Sequence, residues 1–421
     1  MGYSSLMELT ETQSLAVKTA VEKHRCIITG GAGSGKTTVI SNIISNIKEN
    51  DGDEVIVLCA PTGKAAARIT EATGYKASTV HSACGFFPQD NSDELGKIDR
   101  PQIPAKSATT LIVDEASMLD DQLLAGLCST IRPTCRLILV GDPNQLPPVG
   151  AGYPFRDLVA SGKVPHVHLD KCHRQAGKLL HNCYDILSGD SEKLVYDAGK
   201  GNRADADWGV IECGDDQIHA VLEKLYAGEA CVESLGIAAE ELLVLTPLNK
   251  GDAGRVKLNR TIQKVYHASR GRSTPAYKTE TESDQFVVGD RVIWTKNDRL
   301  AGLVNGDTGK VLEVGGDKLV VEFDGIGRKT VDAKGPLQLA WVLTCHKAQG
   351  SQYKKVLVIT AAKHCNQFLA GIINRSWIYT AATRSKEATF FLGSAKAFKK
   401  HVSNKAVDRR NTLLSELVGV A

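Results

Sequence analysis

The stretch CIITGGAGSGKTTVISNII, Cys26 to Ile44, decides how the chain begins to fold. It opens with an apolar run of strand texture. Val39, Ile40, Ile43, Ile44 and Ile47 then recur at the spacing of one helix face. Between the two, Gly30, four residues and Gly35-Lys36-Thr37 satisfy the phosphate-loop pattern GxxxxGK[ST]. Glycines let the backbone N–H groups from Gly31 through Ala32, Gly33, Ser34, Gly35, Lys36, Thr37 and Thr38 converge on phosphate oxygens. The helix that follows aims its positive end at the same point. Lys36 would neutralise β/γ-phosphate charge, and the Thr37 hydroxyl is placed to bind Mg²⁺. With a strand before it and a helix after it, the loop is expected to hold a nucleoside triphosphate, here ATP.

Working outward, the first 170 residues alternate short Val/Ile/Leu runs (RCIIT, EVIVLCA, TLIVD, RLILVGD, VPHVHL) with helix-like stretches. Such runs fit parallel strands buried on both faces, and the alternation predicts a doubly wound α/β domain. A second set follows in ELLVLTP, KKVLVIT and TFFLG. Within it lies a different texture: FVVGDRVIWT, GDTGKVLEV and DKLVVEF are short strands joined by Gly, Asp and Asn turns. That predicts a small antiparallel β barrel over 277–338. Residues 85–106 are polar and rich in proline, and read as an inserted hairpin.

The partner of a phosphate loop is a strand that ends in acid. LIVDEASM supplies Asp114, expected in the Mg²⁺ shell, and Glu115, expected to orient or deprotonate the attacking water. A third strand end, LVGDPNQLPPVG, places Asp142 and Gln145 at the edge where ligands of such folds collect. Gln145 is a neutral group able to sense a γ-phosphate or a water, and the Asp-Pro-Asn before it also makes a turn.

Composition narrows the class without naming a partner. The chain has 421 residues, 42% hydrophobic and 24% charged, which is ordinary for a globular protein of several domains. A net charge of +3 does not by itself indicate a polyanion partner, so a nucleic-acid site must come from local placement of basic residues. The eleven cysteines form no CxxC pair, which argues against a zinc site or redox dithiol and for a reducing compartment. No apolar run reaches the roughly 18 residues of a membrane span and no leader pattern opens the chain, so a cytoplasmic protein is expected.

The ordered set LTETQ (9–13), GGAGSGKTT (30–38), APTGKAA (60–66), STVHS (78–82), LIVDEASM (111–118), GDPNQLPPV (141–149), LDKCHRQ (169–175), VLTPLNK (244–250), VNGDTGKV (304–311), TCHKAQGSQ (344–352) and YTAATRSKE (379–387) resembles superfamily 1B DNA helicases of the RecD/Dda type. The resemblance runs over nearly the whole chain, and the length is similar to compact Dda-like members. It implies two RecA-like P-loop domains, 1–172 (with a pin-like segment at 85–106) and 173–276 with 339–421, and an SH3-like β-barrel insertion at 277–338. It implies that ATP is hydrolysed between the two RecA-like domains, that Gln13 reads adenine, that Gly350 borders the nucleotide, and that Arg174 and Arg384 reach the γ-phosphate. A permanently charged fork suits arginine to that role.

The same resemblance implies nucleic-acid contacts at Pro61, Thr62, Lys64, Thr79 and His81 in the first domain, and at Thr246, Asn249, Lys250, His346 and Lys347 in the second. Short hydroxyl, amide and basic groups at strand ends suit backbone contact without sequence readout, and either histidine could stack a base. A duplex-splitting pin is expected to carry a stacking aromatic. Phe86 and Phe87 lie only at the base of 85–106, which favours their packing as core, as Trp294 and Trp341 are also expected to do. The expected function is an ATP- and Mg²⁺-dependent DNA helicase acting 5′ to 3′ on single-stranded DNA and single-strand/duplex junctions. Replication, repair or recombination proteins are its expected partners, with no membrane. A strand translocase with weak unwinding, a nucleotide-switched scaffold and an RNA substrate remain open alternatives.

Overall fold

The computed structural model describes residues 9–50, 54–86, 103–170, 178–192, 194, 207–228, 241–277, 283–298, 300–366, 369–405 and 414. The chain divides into two compact units, 1–174 with 410–421, and 175–409.

In the first unit, β1 (Arg25–Gly30), β2 (Ile56–Ala60), β3 (Ala77–Thr79), β4 (Thr110–Val113), β5 (Arg136–Gly141) and β6 (His166–Leu169) form one parallel sheet in the order β3-β2-β4-β5-β1-β6. The runs read as continuously apolar because both faces are covered. Ile27, Leu111, Val113, Leu137 and Leu139 join one core cluster; Cys26, Ile28, Ile112, Ile138 and Val140 join the other. This is the period of two expected of a strand, with both phases apolar. Helix Lys36–Asn50 buries Val39, Ile40, Ile43, Ile44 and Ile47, the face read from sequence. The edge strand β3 has only three half-buried residues, too few to mark a strand in the sequence.

The second unit carries β7 (Trp208–Glu212), β8 (Leu242–Thr246), β14 (Val342–Thr344), β15 (Tyr353–Thr360) and β16 (Ser385–Gly393), parallel, in the order β14-β8-β15-β16-β7. Between β8 and β14 the chain builds β9 (Arg291–Trp294), β10 (Thr308–Gly315), β11 (Lys318–Phe323), β12 (Gly327–Asp332) and β13 (Leu337–Leu339) as an antiparallel sheet in the order β12-β11-β10-β9-β13. Its core is Val292, Trp294, Val311, Leu319, Val321 and Phe323 with their neighbours, so Trp294 is a core residue. Trp341 is likewise buried, against Tyr226 and Tyr266.

A buried polar knot fixes the insertion to its host. Asp290, just ahead of β9, accepts from Gln263 Nε2 (2.6 Å), from the Val287 amide (2.7 Å) and from the Trp341 indole (3.4 Å), and pairs with His267 Nε2 at 2.8 Å. Gln263 and His267 belong to helix Arg255–Ala268 of the α/β layer. The side chains of Asp290, Gln263, His267 and Trp341 are all buried. Such a network is stabilising only when its members are paired, and it then fixes one geometry.

Leu414 lines an apolar cavity of about 540 Å³ beside Leu124, Leu137 and Leu158. Of the 85–106 segment, 87–102, with Phe87, lie outside the described residues. Phe86 packs in a core cluster of the first unit and seats against Gly126, where an added Cβ would come within 2.8 Å of its ring.

Among the described residues no helix is long and apolar enough to cross a membrane, and the nine described cysteines are all free. His364 and His401 are buried together in the second unit, and neither ring nitrogen of His364 has a hydrogen-bond partner. Burial pushes each imidazole down to about 4, with His401 adding to the effect on His364. The unfolded chain therefore binds more protons between the two pKa values. Stability should be fully present above the ordinary histidine pKa of about 6.5 and decline by a few kcal/mol as pH falls toward 4. Denaturant midpoints measured across that range should show the decline, and His364→Leu should remove about half of it. A flat profile would contradict the burial argument.

Candidate active site and nucleic-acid interface

Parallel pairing sets the site's first dimension. Thr29 of β1 is level with Gly141 of β5, and Val113 of β4 with Leu139 of β5, so the loops after β1, β4 and β5 leave the same carboxyl edge of the sheet. That edge is where open α/β sheets bind ligands.

The loop after β1 turns at Gly33 (φ 78°) and Gly35 (φ 84°), left-handed conformations that glycine adopts without strain. Lys36 Nζ donates to the carbonyls of Gly30 (2.7 Å) and Gly31 (2.9 Å), which holds the ammonium over the loop. Gln13 is buried and fully engaged: Nε2 donates to Ser34 O (3.1 Å), and Oε1 accepts from the Thr10 amide (3.1 Å) in a capping box. A Cβ on Gly35 would lie 2.3 Å from Gln13 Nε2, so glycine there also makes room for this brace. The structure thus gives Gln13 a loop-bracing role that the sequence reading, which assigned it to adenine, did not include.

Asp114 follows β4, and its amide is held by Cys59 O at 2.9 Å. Glu115 has φ 52°, the one positive φ at a non-glycine residue among the described residues. Such strain costs about 1–3 kcal/mol and concentrates at functional sites. Asp114 Oδ1 and Glu115 Oε2 are sealed from solvent with no hydrogen-bond partner. Burial pushes the Asp114 carboxyl up to about 6; Glu115 adds to the rise, while Lys36 and Arg68 oppose it. Two unpartnered hard oxygens beside a lysine fit a divalent cation held by Asp114 with the Thr37 hydroxyl. Ser117, fully buried with an unpartnered hydroxyl, lies on the turn just after the acid pair and was not singled out from sequence.

After β5, Asp142 Oδ1 accepts from the Asn144 amide (3.0 Å), so the Asp-Pro-Asn turn is present. Gln145 is buried, and its carbonyl accepts from Tyr153 Oη at 2.9 Å.

In the second unit Arg384 is buried, with Nε donating to Thr380 O (3.1 Å) and one terminal nitrogen to Thr383 Oγ1 (3.3 Å). Both acceptors are neutral, and no described carboxylate forms an ion pair with it. A surface ion pair, the ordinary fate of arginine, is therefore excluded for Arg384 among the described residues. Arg174 lies outside the described residues.

Residues 8–214 match the family model described as an AAA domain, and 339–392 match a UvrD-like helicase C-terminal domain. The chain is 33% identical over 419 residues to the ATP-dependent RecD2 DNA helicase of Deinococcus radiodurans, covering 97% of this chain and 52% of that protein. It is 29% identical over 426 residues to the RecBCD enzyme subunit RecD of Mycolicibacterium smegmatis, covering 94% of this chain and 73% of that one. Both family models and both relatives point to helicases of the RecD type as what this chain is similar to. It spans about half the length of the first of these relatives. Its fold is also that of the Pif1 helicase from Bacteroides solved with ADP-AlF3 and ssDNA, at a TM-score of 0.53, 19% identity and 94% coverage of both chains.

The contact residues expected of a superfamily 1B chain divide on inspection. In the first unit Thr62 and Thr79 use their hydroxyls to cap helices Gly63–Thr73 and Val80–Cys84, accepting from Ala65 N (3.2 Å) and Ser82 N (3.1 Å). Pro61 and Lys64 flank the first cap and are half-buried, while His81 is exposed, edge-on to Phe86 at 6.5 Å. All lie after β2 or β3, on the carboxyl side of the sheet. In the second unit Thr246 is a correction: it is wholly buried and donates to Ala253 O, so its hydroxyl braces the loop rather than facing a ligand. Asn249 Oδ1 accepts from Arg255 Nε (3.2 Å), Lys347 Nζ donates to Gln338 Oε1 (2.7 Å), and Lys250 and His346 are exposed. Gly350, at φ 73°, turns the chain after helix Cys345–Ala348.

The raised Asp114 carboxyl has a sign. In the ligand-free chain the folded state holds its proton up to about 6 while the unfolded chain releases it near 4, so stability falls as pH rises through that window. Asp114→Asn should therefore stabilise the ligand-free protein at pH 7 to 8 by roughly 1–3 kcal/mol, read as a higher denaturant midpoint. A lower midpoint would show that Asp114 is paired rather than stranded.

Proposed function

We propose that the chain is an ATP-driven DNA helicase that moves on single-stranded DNA, 5′ to 3′, and separates duplex DNA. The observation that carries this reading is the phosphate loop with Lys36 electrostatically coupled to the stranded Asp114, in a chain that aligns with RecD-type relatives over nearly its whole length. The loop amides and Lys36 would bind the triphosphate. Bound Mg²⁺, held by Thr37 and Asp114, would supply charge neutralisation. Glu115, fixed by its strained turn, would orient or deprotonate water, and Gln145 would sense the γ-phosphate or that water. Arg384, buried with only neutral partners, is proposed as a charge on which turnover depends, with Arg174 as its counterpart.

We further assign 1–172 and 173–276 with 339–421 as RecA-like domains, and 277–338 as an SH3-like insertion. Single-stranded DNA and its junctions with duplex are the proposed substrates, and replication, repair or recombination proteins the partner class. A second reading, translocation with weak unwinding, is favoured by one observation: Phe86 is committed to the core and is not free to serve as a pin aromatic.

Lys36→Ala should abolish ATP hydrolysis while leaving the thermal transition near that of the parent, and Arg384→Ala should keep nucleotide binding but lose at least tenfold in turnover. Strand separation on 5′-tailed, 3′-tailed and blunt duplexes, with hydrolysis followed in the same reactions, tests the whole. Separation of the 5′-tailed duplex alone is expected. Strong hydrolysis with no separation would favour the translocase, and hydrolysis that stays slow with saturating DNA would favour a nucleotide-switched scaffold.

A further inference from the structure

Among the described residues a cationic pair in the second unit has little negative charge around it. Arg255 opens helix Arg255–Ala268, in the connection that leaves the carboxyl end of β8; Lys347 sits in the short helix after the carboxyl end of β14. The two strands are parallel neighbours, with Thr246 level with Thr344, so both segments leave one edge of the sheet. Arg255 is only 7% exposed, yet among the described residues its guanidinium is held by a single neutral acceptor, Asn249 Oδ1, and its terminal nitrogens make no hydrogen bond. Lys347 likewise rests on a neutral acceptor, Gln338 Oε1 of β13.

Each cation is penalised. Burial lowers the pKa of both, and Arg255 lowers that of Lys347 further, to about 8. Among the described residues Asp284 is the one carboxylate acting on both, and its Oδ2 already accepts from the Leu339 amide at 2.9 Å. Of the neighbouring charges, His346 lies beside Lys347, and Arg375 of the helix packed on that turn is bound to Val402 O (2.8 Å) and Leu187 O (3.1 Å). On the Arg255 helix, Lys257 pairs with Asp252 and Arg260 stacks on Tyr277. Two half-desolvated cations sharing one engaged carboxylate are short of an anion.

We propose that Arg255 and Lys347 form a two-cation seat for a backbone phosphate of single-stranded nucleic acid, with Asp284 as a built-in competitor for the same charges. The proposal rests on the nucleic-acid reading above and adds Arg255, Gln338 and Asp284 to it. Arginine supplies a fork for two phosphate oxygens and lysine a point charge, and neither reads a base. An acceptor-only carboxylate weakens the hold, which suits a strand that has to be released as it advances.

The test is binding of labelled oligo(dT) by the intact chain at several salt concentrations. Arg255→Gln should weaken binding and reduce the magnitude of the salt slope by about 0.7, the value for one single-strand phosphate contact. Asp284→Asn, which keeps the acceptor for Leu339, should tighten binding, a gain that a purely structural role would not produce. Raising the pH from about 7 to 9 should weaken wild-type binding as Lys347 discharges, and this loss should move to higher pH in Arg255→Gln, where the repelling charge is gone. An unchanged slope in Arg255→Gln together with unchanged affinity in Asp284→Asn would overturn the seat, even if the chain unwinds DNA. The expected shifts without ATP-driven strand separation would leave the seat standing and remove the helicase reading. Absence of any oligo(dT) binding by the wild type would remove both. Inorganic phosphate displacing the oligonucleotide at stoichiometric concentration would mark a site for the free anion and overturn the nucleic-acid assignment.

Discussion

The coupling between the Lys36 ammonium and the carboxylates of Asp114 and Glu115 is the constraint on which the first unit depends. The ammonium is anchored on the loop's own carbonyls, while the acids end a strand two places away in the sheet. Burial makes ionised Asp114 unfavourable there, and Lys36, the Glu115 backbone and, least, Arg68 oppose that. Sheet, loop and helix have to meet closely for the arrangement to persist. The core clusters on the two faces of the parallel sheet supply the rigidity, and the left-handed turn at Glu115 is held against that background.

The second unit repeats the logic with a different polarity. Its parallel sheet has cations at both edges: Arg384 among neutral acceptors just ahead of β16, at the amino edge, and Arg255 with Lys347 around one carboxylate at the carboxyl edge. Where the first unit strands negative charge, the second strands positive charge. In both the deficit sits at the ends of strands, while the strands themselves are close-packed apolar layers. The Asp290 knot joins the antiparallel insertion to helix Arg255–Ala268 through hydrogen bonds from Gln263 and His267 to one buried carboxylate. Gln338 at the insertion's last strand is thereby placed to hold Lys347.

Much of this was legible without coordinates, for definite reasons. Parallel strands covered on both faces must be apolar at every position, so RCIIT, LIVD and LILVG announce themselves. A phosphate loop has few chemical solutions, so Gly30 to Thr38 could be read at the level of single residues. The strands that escaped notice were β7, β12 and the three-residue strands β3, β13 and β14, the last three too short to show a period. Thr246 was misread because a threonine at a strand end looks the same whether its hydroxyl faces a ligand or braces its own loop, as it does toward Ala253 O.

The sequence by itself determined the architecture of two α/β layers, the antiparallel insertion and the identity of the phosphate loop with its acidic partner. These are encoded in local periodicity and in short motifs whose spacing the chain cannot alter. Only the tertiary structure decided that Gln13 braces the loop, that Glu115 sits in a strained turn, and that Arg255, unremarkable in sequence, shares a charge deficit with Lys347 some ninety residues away. Burial, charge imbalance and unpartnered atoms are properties of what surrounds a side chain. Those surroundings are assembled by contacts between segments far apart in the chain, and no local pattern carries them.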